Sequence, residues 1–174
     1  MVYVPSFGTL TTDQMSTSQV LLLGDPRLYE KCTPVVGRDW LDVPNMIARL
    51  DMVLNAFKTQ YGAFRGIAAP QLGIMKRMIY MNIDHPVVII NPELSKLSEE
   101  MFELWDDCMC FPNLLVRVKR HYSCTLRFQN EHQEIKTWQV EGGLSELIQH
   151  EYDHLEGILA IQRAIAPTAF MWRP

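Results

Sequence analysis

QHEYDHLEG, residues 149–157, is the stretch from which the rest of the chain can be read. Residues four apart share one face of a helix. His150 and His154 can then reach one metal ion, with Glu151 beside them to handle a proton on a bound water. The flanking residues support a helix: Leu144, Leu147, Ile148, Leu155 and Ile158 give a mostly apolar segment over about 144–160. Gly142-Gly143 marks its start. Burying two histidines and two carboxylates on such a helix without partners costs several kcal/mol, and a metal removes that cost. The alternative is a solvated face with two incidental histidines.

A catalytic metal has three protein ligands and an open position, so a third donor must come from elsewhere. WDDCMCFP at 105–112 offers Cys108 and Cys110. If the segment is extended, alternate side chains share a face and both thiols point one way. Spacing alone does not choose between them, and each also fits the role of a small buried hydrophobe. GIAAPQLG at 66–73 is the third segment. Its small residues let backbone pass close to another group, and Gln71 adds an amide donor. Its simpler role is a turn packed between a helix and a strand.

Further out, Val20 to Leu23 reads as a short buried strand broken by Gly24-Asp25-Pro26. Met46, Leu50, Val53, Leu54, Phe57 and Tyr61 give one apolar helical face over 43–62, with Pro44 in its first turn. Residues 77–83 and 86–92 are apolar runs separated at Asp84-His85-Pro86. Residues 122–129 alternate, with Tyr122, Cys124, Leu126 and Phe128 on one face. A turn at Asn130 to Gln133 leads into a strand at 134–140. Helix, strands, then helix is an α+β order.

The chain has 174 residues, 48% hydrophobic and 21% charged, which predicts one globular domain and excludes a disordered or collagen-like chain. Twenty acidic against 16 basic residues leave no basic footprint for nucleic acid. The longest apolar runs, VLLL at 20–23 and VVII at 87–90, are too short to span a bilayer. Residues 1–19 carry no Lys or Arg and read as an N-terminal arm preceding a catalytic domain at 20–174. They lack the charge of a secretory or transit signal, which favours the cytoplasm and leaves an organelle open. Cys32, Cys108, Cys110 and Cys124 read as reduced thiols.

Taken together, the three segments resemble the peptide deformylases, which remove the formyl group from the N-terminal formylmethionine of new proteins. GIAAPQLG, WDDCMCFP and QHEYDHLEG occur in that family's order, and GDPRLYEKCTPV at 24–35, IINPEL at 89–94 and the Val118/Arg120 pair look like family positions. The resemblance implies mixed or antiparallel sheets packed around the helix that bears the histidines. It implies Cys108, His150 and His154 as metal ligands, with Cys110 where serine is common. Glu151 is then the general base acting on the metal-bound water, and the Gln71 side chain and Met109 backbone N–H stabilise the oxyanion. Gly66, Ile67, Arg65, Glu146 and Leu147 border the substrate, and Asp153 supports the ligands from behind. The implied metal is Fe(II) in the cell, with zinc, nickel or cobalt in purified protein. The implied partners are N-formylated nascent peptides near the ribosome, with no membrane and no direct nucleic-acid binding, and the chain acts as a monomer or weak dimer. Rival readings are a hydrolase for another N-acylated amine and a non-catalytic metal-binding homologue.

Four residues depart from the family pattern: Phe64 and Asp107 stand where it has glycine, Arg65 where it is aliphatic, Glu146 where it is apolar. The simpler expectation is that Arg65 and Glu146 point to solvent and pair for little energy. The sharper one is a polar pocket edge with an altered substrate preference. Asp107 adds negative charge near the metal, which would raise the pKa of its water.

Overall fold

The computed structural model describes residues 19–173. The expected arm, apart from Gln19, lies outside them. Helix α1, Val43–Tyr61, begins with Pro44 in its first turn and ends at Gly62. Met46, Leu50, Val53, Leu54 and Phe57 of the expected face are buried.

Five strands form an antiparallel sheet: β1 (Gly66–Ala68), β2 (Met78–Asn82), β3 (Pro86–Ser95), β6 (Ser123–Gln129) and β7 (Ile135–Glu141), in spatial order β1-β2-β3-β6-β7. A second antiparallel sheet holds β4 (Met101–Asp107), β5 (Leu114–His121) and β8 (Phe170–Trp172), in order β4-β5-β8. Helix α2, Gly142–Leu155, lies against β1 and β7 on one side and β5 on the other. Leu147, Ile148 and Leu155 pack with Ile79, Ile89, Leu126 and Phe128, whereas α1 packs with Ile67, Met109 and Val118 in a separate apolar cluster. The α+β expectation holds, and the histidine-bearing helix sits between the sheets.

Three local expectations are corrected. Val20 to Leu23 is not a strand. Only Val20 is buried, while Leu22 and Leu23 are exposed. The segment is instead pinned by two backbone hydrogen bonds, Leu21 N–H to Gln71 O (2.8 Å) and Leu23 N–H to Cys110 O (2.9 Å), so it braces two of the three motif segments. Helix α2 stops at Leu155 rather than near 160. Gly157 adopts φ +72°, and a Cβ there would lie 2.5 Å from the Tyr29 carbonyl oxygen, a close approach that glycine alone permits. On β6, Cys124, Leu126 and Phe128 face the core, but Tyr122 precedes the strand and is exposed. Thr125, on the opposite face, is buried and donates its hydroxyl to Gln139 Oε1 at 2.9 Å, because β6 lies between β3 and β7.

Candidate metal centre

Strand β4 ends at Asp107, so the stretch at 105–112 is not extended throughout; the chain turns at Met109 and Cys110. The thiols still converge, through that turn rather than through strand alternation. The Cys110 N–H points at Cys108 Sγ (3.4 Å), and Cys108 Sγ lies 3.3 Å from His154 Nε2. Both cysteines are buried, and all four cysteines are free thiols, as expected.

GIAAPQLG forms β1 and then a tight 3-10 turn, Ala69–Leu72. The turn brings Gln71 Oε1 back to accept from Ala68 N–H at 2.8 Å, and this fixes the amide so that Nε2 points at Cys108 and Cys110 Sγ, 3.7 Å from each. A Cβ on Gly66 would lie 3.0 Å from Glu151 Oε1 and 3.3 Å from Leu147 Cδ1. Glycine is what lets β1 run this close to α2.

Two donor sets meet at His154: the ligand atoms of Cys108, Cys110 and His154 lie within 4.8 Å of one another, and so do those of His150, Glu151 and His154. The expected trio Cys108, His150 and His154 is thus divided between the sets and joined at His154. Glu151 Oε2 and His154 Nδ1 are buried with no hydrogen-bond partner among the described residues. The orphaned Glu151 Oε2, beside a thiol and the His154 Nε2 that faces it, fits a thiophilic divalent cation.

Behind the donors lies an ion network of which the sequence assigned a role to Asp153 alone. His150 Nδ1 stands 2.8 Å from Asp106 Oδ1, although the ring N–H is not aligned along that line. Asp106 Oδ2 accepts from Arg120 Nη2 at 3.0 Å, and Arg120 Nη1 also binds Asp153. Asp153 is clamped in turn by Arg163, at 2.8 and 3.2 Å. Asp153 therefore reaches the donors only through Arg120 and Asp106. The signal for Arg120 was the period of β5, where Val116, Val118 and Arg120 alternate inward.

Charge in this pocket is strongly redistributed. Burial raises the Asp106 carboxyl, but His150 and Arg120 overcome it and hold it down at about 2. Burial lowers His150, yet Asp106 pushes it up to about 10. His154 is driven well below its ordinary value by burial and by His150. Burial pushes Glu151 up to about 7, against the pull of His150. Burial and the neighbouring Cys110 raise the Cys108 thiol.

The four departures sit at the mouth. Arg65 Nη2 donates to Glu146 Oε2 at 2.7 Å, and Nη1 to Gly143 O at 3.3 Å. The solvent-facing expectation fails for Glu146: its side chain is 7% exposed, against 46% for Arg65. Glu146 is one turn before His150, so the inward face of α2 carries both. Phe64 adopts φ +73°, a conformation that favours the glycine expected there and is strained for a bulky residue. Its ring packs on Phe57 and Tyr61 and under the Arg173 guanidinium. Asp107 pairs with Arg173, so its charge is countered. Arg65, Gly66, Gln71, Cys108, Leu147 and Glu151 line one narrow cleft. Ile67 lies beneath it, fully buried in the core.

Residues 17–169 match the Polypeptide deformylase family. A peptide deformylase of Natranaerobius thermophilus is 39% identical over 135 residues, covering 75% of this chain and 86% of that relative. The crystal structure of peptide deformylase from Thermotoga maritima aligns with a TM-score of 0.76 at 30% identity, covering 84% of this chain and 97% of that one. A peptide deformylase from Synechococcus elongatus, in complex with actinonin, aligns with a TM-score of 0.78 at 26% identity, covering 85% and 79%. The fold, the three motif segments and the extent of these matches place this chain in the peptide deformylase family.

Proposed function

We propose that this protein hydrolyses the N-formyl group from the formylmethionine of nascent peptides, releasing formate and a free amine. The observation that carries the reading is the convergence of Glu151, the pinned Gln71 amide and the Cys108/His154 and His150/His154 donor sets in one buried cleft.

Cys108, His150 and His154 would hold a divalent metal. Thiolate with imidazole suits Fe(II), zinc, nickel or cobalt, and we assign Fe(II) in the cell. When bound, such an ion lowers the pKa of water and polarises a carbonyl oxygen. Glu151 accepts a proton from the attacking water and passes it to the departing amine. The oxygen of that water becomes part of formate, and the C–N bond breaks. Gln71 Nε2 and the Met109 N–H donate to the carbonyl oxygen as negative charge grows on it. Asp106, held by Arg120, orients the His150 ring. Gly66 and Ile67 carry the backbone of β1 past the reacting group, and Arg65, Glu146 and Leu147 border the first side chain.

No helix among the described residues is long and apolar enough to cross a membrane, and we assign the protein to the cytoplasm, near ribosomes, as a monomer or weak dimer. The test is anaerobic formate release from formyl-Met-Ala-Ser by Fe(II)- or Ni(II)-loaded protein. Glu151→Ala should lower kcat by about a thousandfold with metal retained, the usual span of general-base loss. No formate from folded, fully metallated protein would overturn the reading.

A further inference from the structure

The cleft that holds Glu151, Gln71 and Cys108 is also lined by Arg65, Glu146 and Leu147. In a formylated peptide the first Cα is two bonds from the formyl carbon. A substrate with that carbon between Glu151 and Gln71 therefore projects its first side chain into this same cleft. The floor is closed where β1 meets α2 at Gly66, Leu147 and Glu151. The side chain meets the Arg65–Glu146 ion pair next.

We infer that this pair is a specificity-determining element: it lets the cleft accept a neutral amide side chain of methionine's length, glutamine, beside methionine itself. The inference rests on the deformylase reading and adds to it. The pair is asymmetric. Glu146 is almost fully buried and fixed on α2, whereas Arg65 is half exposed and reaches it from the mouth. An apolar thioether pressed against the pair strips its water and returns no hydrogen bond. An anionic side chain would compete for Arg65 and leave Glu146 unpaired in a buried position, and a cationic one would stand against the guanidinium. A carboxamide offers an acceptor to the guanidinium and donors to the carboxylate, with no net charge added. Arg65 uses only two of its five N–H donors on Glu146 and Gly143, so an incoming acceptor can be taken up without breaking the pair.

The experiment compares kcat/KM for formyl-Met-Ala-Ser, formyl-norleucine-Ala-Ser and formyl-Gln-Ala-Ser on the metal-loaded full chain. An apolar cleft would reject the amide by about a hundredfold. Here the glutamine peptide should fall within about tenfold of the methionine peptide, the discrimination left when its polar groups are matched. Replacing both charges at once, Arg65→Ile with Glu146→Leu, avoids stranding a buried carboxylate. It should widen the methionine-to-glutamine gap by about tenfold, with norleucine following methionine. Inhibition by the products Met-Ala-Ser and Gln-Ala-Ser should follow the same order. The ratio in the unmutated protein does not depend on how the double variant folds. A gap larger than tenfold in the unmutated protein overturns the inference and leaves the deformylase reading intact. A gap unchanged in a folded double variant does the same. No formate from any of the three peptides overturns both.

Discussion

Arg120 and Arg65 do similar chemistry along one face of α2, on carboxylates two turns apart, with different consequences. Arg120 bridges Asp106 and Asp153 with its side chain only 4% exposed. Burial alone would lower its pKa, yet the two carboxylates keep it raised. Arg65 holds one carboxylate, Glu146, from a half-exposed position. At the back, Arg120, Asp106 and Asp153 depend on their partners because water barely reaches them. At the mouth, water reaches one end of the pair, so its partners can be rearranged at small cost. Burial separates an ion pair that fixes a ligand's orientation from one that an incoming group can address.

Removing the buried guanidinium tests this most severely. Arg120→Met leaves Asp106 with His150 alone and Asp153 with Arg163 alone, and should destabilise the fold by about 3 kcal/mol in urea titrations. It should also loosen His150 and weaken metal binding about 10–100-fold in chelator competition. An Arg120→Met protein of unchanged stability and metal affinity would erase the contrast with Arg65. Gly66→Ala comes next. Its Cβ must displace the Glu151 carboxylate, 3.0 Å away, or push β1 off α2. Because a misplacement of about 1 Å can cost about a hundredfold, kcat for formate release should fall by about that factor, while metal content stays unchanged.

The sequence was legible where one periodicity governed a segment. The apolar face of α1 and the histidine pair of α2 rest on helical spacing alone, and both stand in the structure. It was illegible where tertiary contacts decided. Val20 to Leu23 looked like a buried strand, but among the described residues no strand pairs with it, and two backbone hydrogen bonds to motif segments hold it instead. The end of α2 is set by the approach of Tyr29 to Gly157, two residues distant in sequence by more than a hundred positions. The convergence of Cys108 and Cys110 was foreseen, but for the wrong backbone shape. Asp106 escaped notice, and Arg120 was noted only as a family position, because a buried arginine inside an otherwise apolar alternation only acquires meaning once β4 and β5 are seen to be paired. For Glu146 the simpler of two expectations, solvent, followed its charge, whereas its position one turn before His150 already pointed inward, to the pocket edge the other expectation named.

The smallest effect belongs to the third ion pair, Arg173 with Asp107. Both side chains are partly exposed, so the pair should be worth no more than about 1 kcal/mol. Arg173 also covers the Phe64 ring, with 5.6 Å from guanidinium to ring centroid, and its Nε donates to Pro112 O at 3.0 Å. It therefore holds the strained Phe64 backbone and the loop after the metal cysteine together. Arg173→Ala should lower the thermal midpoint by a few degrees, about what a 1 kcal/mol loss gives at this chain length. It should lower formate release only a few-fold, by leaving the Asp107 charge uncountered beside the donor set. Asp107→Gly should leave activity equal or higher, because it removes that charge. Combining the two should restore what Arg173→Ala lost if the charge is the cause. If the double variant stays as slow as Arg173→Ala, the loss comes from the packing of Arg173 on Phe64 and Pro112, and the mouth would be held by contacts as fixed as those behind His150.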